Sequence, residues 1–353
     1  MPRAFLLLGA VPAGAAFVAV AALTQLSCRC LAGAARATGQ LSYGGVLAAQ
    51  LGPWAAAVLD VAMAANCFGM LTVYLIASGD VLEGLEQFAP AWLAPLLERR
   101  WALLALLCAG VVAPLLSLRQ GRLIPAAFGL GMAAMGLWVG ATFYLAAVLA
   151  LKGEARPLSP WPSPQLMADR PWLHATAALN VVLLAFLCQM AFLPVVREME
   201  HPVSPQRMTR ASGAAIAASL TVMLALAAGS EVAFGGDIRD NVLSNFSVEC
   251  IRWEGGWETE VELHGWRFYA FTYAALVVAC LLAIWLPSVW APLQLLGATS
   301  GSAIAFILPG ALALSMAGWR LWGWAGAQGL LLILVGLLLA AAGITKAVLG
   351  LLA

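Results

Sequence analysis

Nine long apolar segments constrain this chain more than any other feature. They run over about residues 4–26, 53–78, 101–118, 123–151, 174–196, 211–234, 268–290, 291–317 and 322–352. A helix needs about 20 mostly apolar residues to cross hydrocarbon. Lipid offers no partner to open backbone polar groups, so such segments must be helices. The expected fold is all-α, one transmembrane domain over residues 1–353. Composition agrees: 63% of residues are hydrophobic and 10% charged. Soluble domains run near 45–50% apolar and about 25% charged. The chain is therefore read as a multi-pass integral membrane protein of the plasma membrane or an endomembrane, with the bilayer as partner. A net charge of +1 supplies no concentrated basic face, so nucleic acid is not expected as a partner.

The longest polar run, 235–267, carries Asp237, Asp240, Glu249, Glu254, Glu258, Glu260 and Glu262 against Arg239, Arg252 and Arg267. Its sequon, Asn245-Phe246-Ser247, makes Asn245 a glycosylation candidate and hints at a lumenal or external face. Basic residues agree. The short loops 28–50, 118–122 and 197–210 hold Arg29, Arg36, Arg119, Arg122, Arg197, Arg207 and Arg210 against Glu198 and Glu200. That bias places them in the cytoplasm and the 235–267 loop opposite. Residues 152–172 form a Pro-rich surface linker. The first apolar run follows Arg3 alone and is long enough to span, unlike a cleaved signal peptide.

Catalytic and metal signatures are not found. His174, His201 and His264 are scattered, and no Gly-x-Ser-x-Gly, phosphate-binding loop or His-Glu-x-x-His occurs. Neither an enzyme nor a resident metal or cofactor is expected. Cys28, Cys67, Cys108, Cys188 and Cys280 lie in or beside apolar spans as small core hydrophobes. Cys28-Arg29-Cys30 is too tight for a metal knuckle, and Cys250 is the lone cysteine of the polar loop. Asp60, Asn66, Thr72, Asn180, Gln189 and Glu231 fall inside spans, where polar groups must face other helices or a wet cavity. Trp319, Trp322 and Trp324 suit an interfacial belt.

Four stretches are ordered like a known family. They are Asn66-Cys67-Phe68-Gly69 through Gly79-Asp80; Phe186-Leu187-Cys188-Gln189 with Leu193-Pro194 and Glu198 to Pro202; Phe234-Gly235 to Leu243; and Gly297-Ala298-Thr299-Ser300-Gly301 with Phe306-Ile307-Leu308-Pro309-Gly310. The set resembles the amino acid/auxin permease family, in its neutral amino acid transporter branch. That resemblance implies a LeuT-type fold: two five-helix inverted repeats plus one helix, with substrate held at mid-membrane by broken first and sixth helices. It implies secondary transport of an amino acid by alternating access, with Na+ or H+ as the coupling ion. It makes Asn66, Cys188, Gln189 and Thr299 the candidate substrate-binding residues. Their plainer readings are an interhelical hydrogen bond for Asn66, core packing for Cys188 and backbone capping for Thr299.

The same resemblance exposes departures. Met1-Pro2-Arg3-Ala4-Phe5 is similar to a motif partway along the family's first helix, so the chain is expected to begin inside it. Ser247 to Trp266 stands where an eighth helix is expected. Glu231 stands where the family has Tyr. Spans counted from the start and spans matched to the family therefore give opposite orientations for the last three helices. In related LeuT-type proteins the shared sodium site lies between helices one and eight, so sodium coupling is weakened. The competing expectation is a non-transporting relative, either an amino acid sensor or an incomplete product.

Overall fold

The computed structural model describes residues 2–84, 99–114, 123–153, 155–162, 171–198, 205–235, 238, 240–241, 266–286 and 288–352. Regular structure among them is helical, with no strand. In chain order the helices are α1 (Pro2–Leu8), α2 (Ala10–Thr38), α3 (Tyr43–Leu51), α4 (Pro53–Gly84), α5 (Arg100–Leu107), α6 (Leu123–Leu151), α7 (Pro171–Ala185), α8 (Gln189–Glu198), α9 (Pro205–Phe234), α10 (Trp266–Trp285), α11 (Trp290–Leu296), α12 (Leu308–Met316) and α13 (Trp324–Leu352). Two π-helical stretches, Gly297–Gly301 and Ala303–Ile307, join α11 to α12.

Seven of the described segments are long and apolar enough to cross a bilayer: Ala10–Thr38, Pro53–Glu83, Ala133–Leu151, Pro171–Val196, Arg207–Phe234, Trp290–Met316 and Trp324–Leu349. Arg100–Val112 and Tyr273–Trp285 are shorter apolar helices, at the third and seventh apolar segments of the sequence. The protein is thus a multi-pass, all-α membrane protein. Asn245, Cys250 and most of the polar loop lie outside the described residues.

Two compact units are formed, one by Met1–Cys67, Leu158–Ala228 and Ala291–Ala353, the other by Phe68–Pro157 and Gly229–Trp290. In the first unit, the helix expected over 4–26 is two helices with different bounds. Gly9, at φ 78° and ψ 155°, separates α1 from α2. This region of backbone space is essentially reserved for glycine. A Cβ there would also lie 2.4 Å from the Trp161 carbonyl carbon. The close approach has a purpose: Ala10 N–H donates to Ser159 O at 2.8 Å and Val11 N–H to Pro160 O at 3.2 Å. Residues 159–160 thus satisfy both open donors at the start of α2, since Gly9 N–H bonds Phe5 O and Pro12 has no N–H. Gly9→Ala should cost roughly 2–4 kcal/mol, from backbone strain and overpacking together, read as a lowered thermal midpoint in detergent.

At its other end α2 runs on to Thr38, through what the sequence marks as a basic loop. Cys28, Leu31, Ala32 and Ala35 are buried on one face while Arg29 and Arg36 are exposed on the other. Gly39, at φ 68°, ends the helix. Ser42 starts α3, its side chain accepting from Gly45 N–H at 3.1 Å.

Lipid tails are as apolar as leucine, so burial from water does not hold membrane helices together; close packing and interhelical hydrogen bonds do. The helix from Trp290 to Met316 is the most buried of the seven. It packs on α7, on α2 and along α13. A Cβ on Gly297 would lie 2.1 Å from Asn180 O of α7, and one on Gly343 of α13 would lie 2.2 Å from the Ala298 Cβ. Gly310 and Gly329 oppose each other across α12 and α13, where a Cβ on either would lie 2.7 Å from the carbonyl oxygen of the other. Asn180 donates from Nδ2 to Leu339 O at 3.3 Å, tying α7 to α13.

The second unit is pinned by polar contacts at helix ends. Arg100 Nη1 lies 3.0 Å from Asp80 and 3.1 Å from Glu83. Asn241 Nδ2 donates to Ala77 O at 3.1 Å and to Asp80 at 3.3 Å. Arg156 donates through its backbone N–H to Val232 O at 3.3 Å and through Nη1 to Phe234 O at 2.6 Å, closing the carbonyl end of α9. Glu231 is buried one turn earlier. Arg100→Met should cost only about 1 kcal/mol or less, because both ion pairs are partly solvated. Thermal melts at low and high salt would show it.

Candidate functional site

Pro309 organises the centre of the first unit. It sits four residues after Ala305 and five after Ile304. Lacking an N–H, it cannot be the α-helical donor to Ala305 O or the π-type donor to Ile304 O. Side chains from other helices take those carbonyls instead. Ser27 Oγ of α2 donates to Ala305 O at 2.5 Å. Gln189 Nε2, the first residue of α8, donates to Ser27 Oγ at 3.3 Å and to Ala305 O at 3.5 Å. Tyr43 OH of α3 donates to Ile304 O at 2.9 Å. The missing N–H of Pro309, together with the π-helical register in which Leu308 N–H bonds Ala303 O, thereby gathers α2, α3 and α8 onto a single helix turn. Tyr43→Phe would leave Ile304 O short of a buried donor. The expected cost is about 1–2 kcal/mol, seen as a lowered melting temperature.

Beside this joint, Phe186–Cys188 interrupts what would otherwise be one helix from α7 into α8. Cys188 N–H donates back to Phe186 O at 2.8 Å, a tight turn. The stretch holds no glycine or proline. Contacts with α2 hold it: Phe186 meets Phe17 edge to face at 6.4 Å between centroids, and Cys188 Sγ lies 3.8 Å from Cys28 Sγ.

The Gln189 amide has its orientation fixed, because Ala305 O can only accept and so must face Nε2. Its Oε1 is buried with no hydrogen-bond partner among the described residues. Thr24 Oγ1, one turn before Ser27 on the same face of α2, is likewise buried and unpartnered. Each such atom costs about 1–3 kcal/mol. The inward face of α2 and the start of α8 thus each carry one buried oxygen with unused hydrogen-bonding capacity.

Of the residues singled out from the sequence, Gln189 and Cys188 lie at this break. Asn66 is buried and accepts at Oδ1 from Ser300 Oγ at 3.3 Å. Ser300 precedes Ala305 by five residues, about 7–8 Å along the helix. Thr299 is not brought to the site: it is exposed, and its hydroxyl donates to Leu295 O of its own helix at 2.7 Å. Sequence reasoning passed over Thr24, Ser27 and Tyr43. The i, i+3 spacing of Thr24 and Ser27, and the carbonyls orphaned by Pro309, were the available signals. Glu231 belongs to the second unit and has no part in this joint.

A cavity of about 400 Å³ opens against the break, lined by Phe186, Cys188, Phe192, Met208, Ser212 and Ile216 among others. None of its lining side chains is charged. Gln25 steadies its wall, donating from Nε2 to Thr209 O at 2.9 Å and accepting at Oε1 from Ser212 at 3.2 Å.

Residues 1–254 match the family described as "Transmembrane amino acid transporter protein". Three curated relatives come from Arabidopsis thaliana. "Amino acid transporter AVT6D" is 24% identical over 89% of this chain and 80% of its own length. "Amino acid transporter AVT6C" is 25% identical over 89% and 81%. "Amino acid transporter AVT6E" is 25% identical over 70% of this chain, and there the match spans about half the relative, 51%.

Proposed function

Since the chain belongs to the transmembrane amino acid transporter family, we propose that it carries an amino acid across the bilayer by alternating access, holding it at the break between α7 and α8. The observation that carries this is the buried, unpartnered Oε1 of Gln189 at the first turn of α8. An amino acid brings what this place lacks. Its ammonium donates to Oε1. Its carboxylate suits the N-terminal N–H groups of α8, where the helix dipole favours negative charge. Its side chain enters the uncharged cavity beside Cys188. Asn66 with Ser300 serves as a second polar contact further along the same helix. Thr299 is left out of the binding set.

Coupling to Na+ or H+ is a further part of the proposal. It is tested by imposing each gradient separately across proteoliposomes. The central test is uptake of labelled amino acids into liposomes holding the purified chain. Saturable uptake above protein-free liposomes is expected. Saturable binding without uptake would make the chain a sensor, and neither binding nor uptake would sink the reading.

A further inference from the structure

The Ser27–Gln189 hydrogen bond has a neighbour on each side of it in sequence, Cys28 and Cys188, and these also touch, Sγ to Sγ at 3.8 Å. They are 160 residues apart in the chain. Both are free thiols. We propose that Cys28 and Cys188 are a reversible oxidation site, whose disulfide clamps α2 to the break. The clamp's effect on transport rests on the function proposed above; the chemistry of the site does not.

The geometry assigns an order to the two sulfurs. Cys28 is fully buried, whereas Cys188 is half-buried and lines the 400 Å³ cavity. A low-molecular-weight disulfide of the glutathione class therefore reaches Cys188 first. The Cys188 thiol loses its proton, its sulfur attacks one sulfur of the reagent, and one thiolate leaves. Cys28 then loses its proton and attacks the Cys188 sulfur, expelling the second thiolate. Two cysteine thiols are oxidised and one small disulfide is reduced to two thiols, which take up the two protons. Closing from 3.8 Å to a bond of about 2.0 Å needs one sulfur to move. Cys188 can supply that movement because it stands outside regular helix. An apolar thiol pair in a rigid helix crossing would have no such freedom.

The consequence is mechanical. Phe186–Cys188 is where the unit departs from continuous helix, and α2 holds it by three side-chain contacts. A covalent link there fixes one arrangement of the break. A transporter that must exchange two arrangements then stalls.

The test uses the full chain in liposomes, oxidised with excess glutathione disulfide. Expected are the loss of two maleimide-reactive thiols when the chain is unfolded for counting, a linked peptide pair containing Cys28 and Cys188, and a fall in uptake of about tenfold or more that dithiothreitol reverses. Cys28→Ala should stop at a glutathione adduct on Cys188, and Cys188→Ala should leave Cys28 unmodified. Cys30→Ala should still form the link. If the reduced chain shows no uptake, the linked pair and a reversible rise in thermal midpoint still decide the clamp. Absence of the linked pair, or a link that changes neither uptake nor melting, overturns the proposal.

Discussion

Gln189→Leu should weaken half-saturation of amino acid uptake by roughly 10- to 100-fold while leaving the protein folded. The lost interaction is a hydrogen bond to a charged ammonium, worth about 1.5–3 kcal/mol, and each 1.4 kcal/mol is about a factor of ten. Stability should change little. Leucine fills nearly the same volume, and removing a polar group together with its unsatisfied end is close to neutral. Ser27 keeps its own bond to Ala305 O at 2.5 Å, so α2 stays joined to the helix carrying Pro309. Concentration-dependent uptake and a melt of the same preparation separate the two effects. An unchanged half-saturation would remove Gln189 from the site. A collapsed melt would make it a structural bond only.

Gly297→Ala should be one of the most damaging single methyls added to the first unit. Its Cβ would lie 2.1 Å from Asn180 O and 2.7 Å from the carbon bearing it. Both are backbone atoms, so no flexible side chain can give way. The expected loss is about 3 kcal/mol or more, the upper end of overpacking. It would be seen as a lowered thermal midpoint and a smaller monodisperse fraction in size exclusion. Gly14→Ala is the control, since nothing lies near its added Cβ; there a helical alanine should gain up to about 1 kcal/mol. Equal stability of Gly297→Ala and the parent chain would refute the close crossing of α7.

The membrane class and the broad series of helices were legible because hydrocarbon thickness turns a count of apolar residues into a structure. Helix ends were less so. Arg29 and Arg36 read as a loop, yet a helix can carry both on its exposed face while Leu31 and Ala35 stay buried. Gln189 and a helix break beside it could be singled out through the family resemblance, but not from local residues, since the break holds no glycine or proline and is fixed by Phe17, Cys28 and Ser27 from α2. Thr299 and Ser300 are neighbours in one motif, and sequence alone did not say which faces inward. They sit in a π-helical stretch, where the extra residue per turn shifts the phase of every side chain.

Along α13, Gly329, Gly336 and Gly343 recur every seven residues, which keeps them near one line of the helix surface. Each meets close-packed atoms of the Trp290–Met316 segment. They act like teeth in a rack. A screw step of one residue, about 1.5 Å with about 100° of turn, would bring Leu330, Leu337 and Ile344 against atoms that leave room for glycine alone. The two helices are therefore geared to travel as one rod. The jointed stretch at Phe186–Cys188 holds no glycine and has no such meshing.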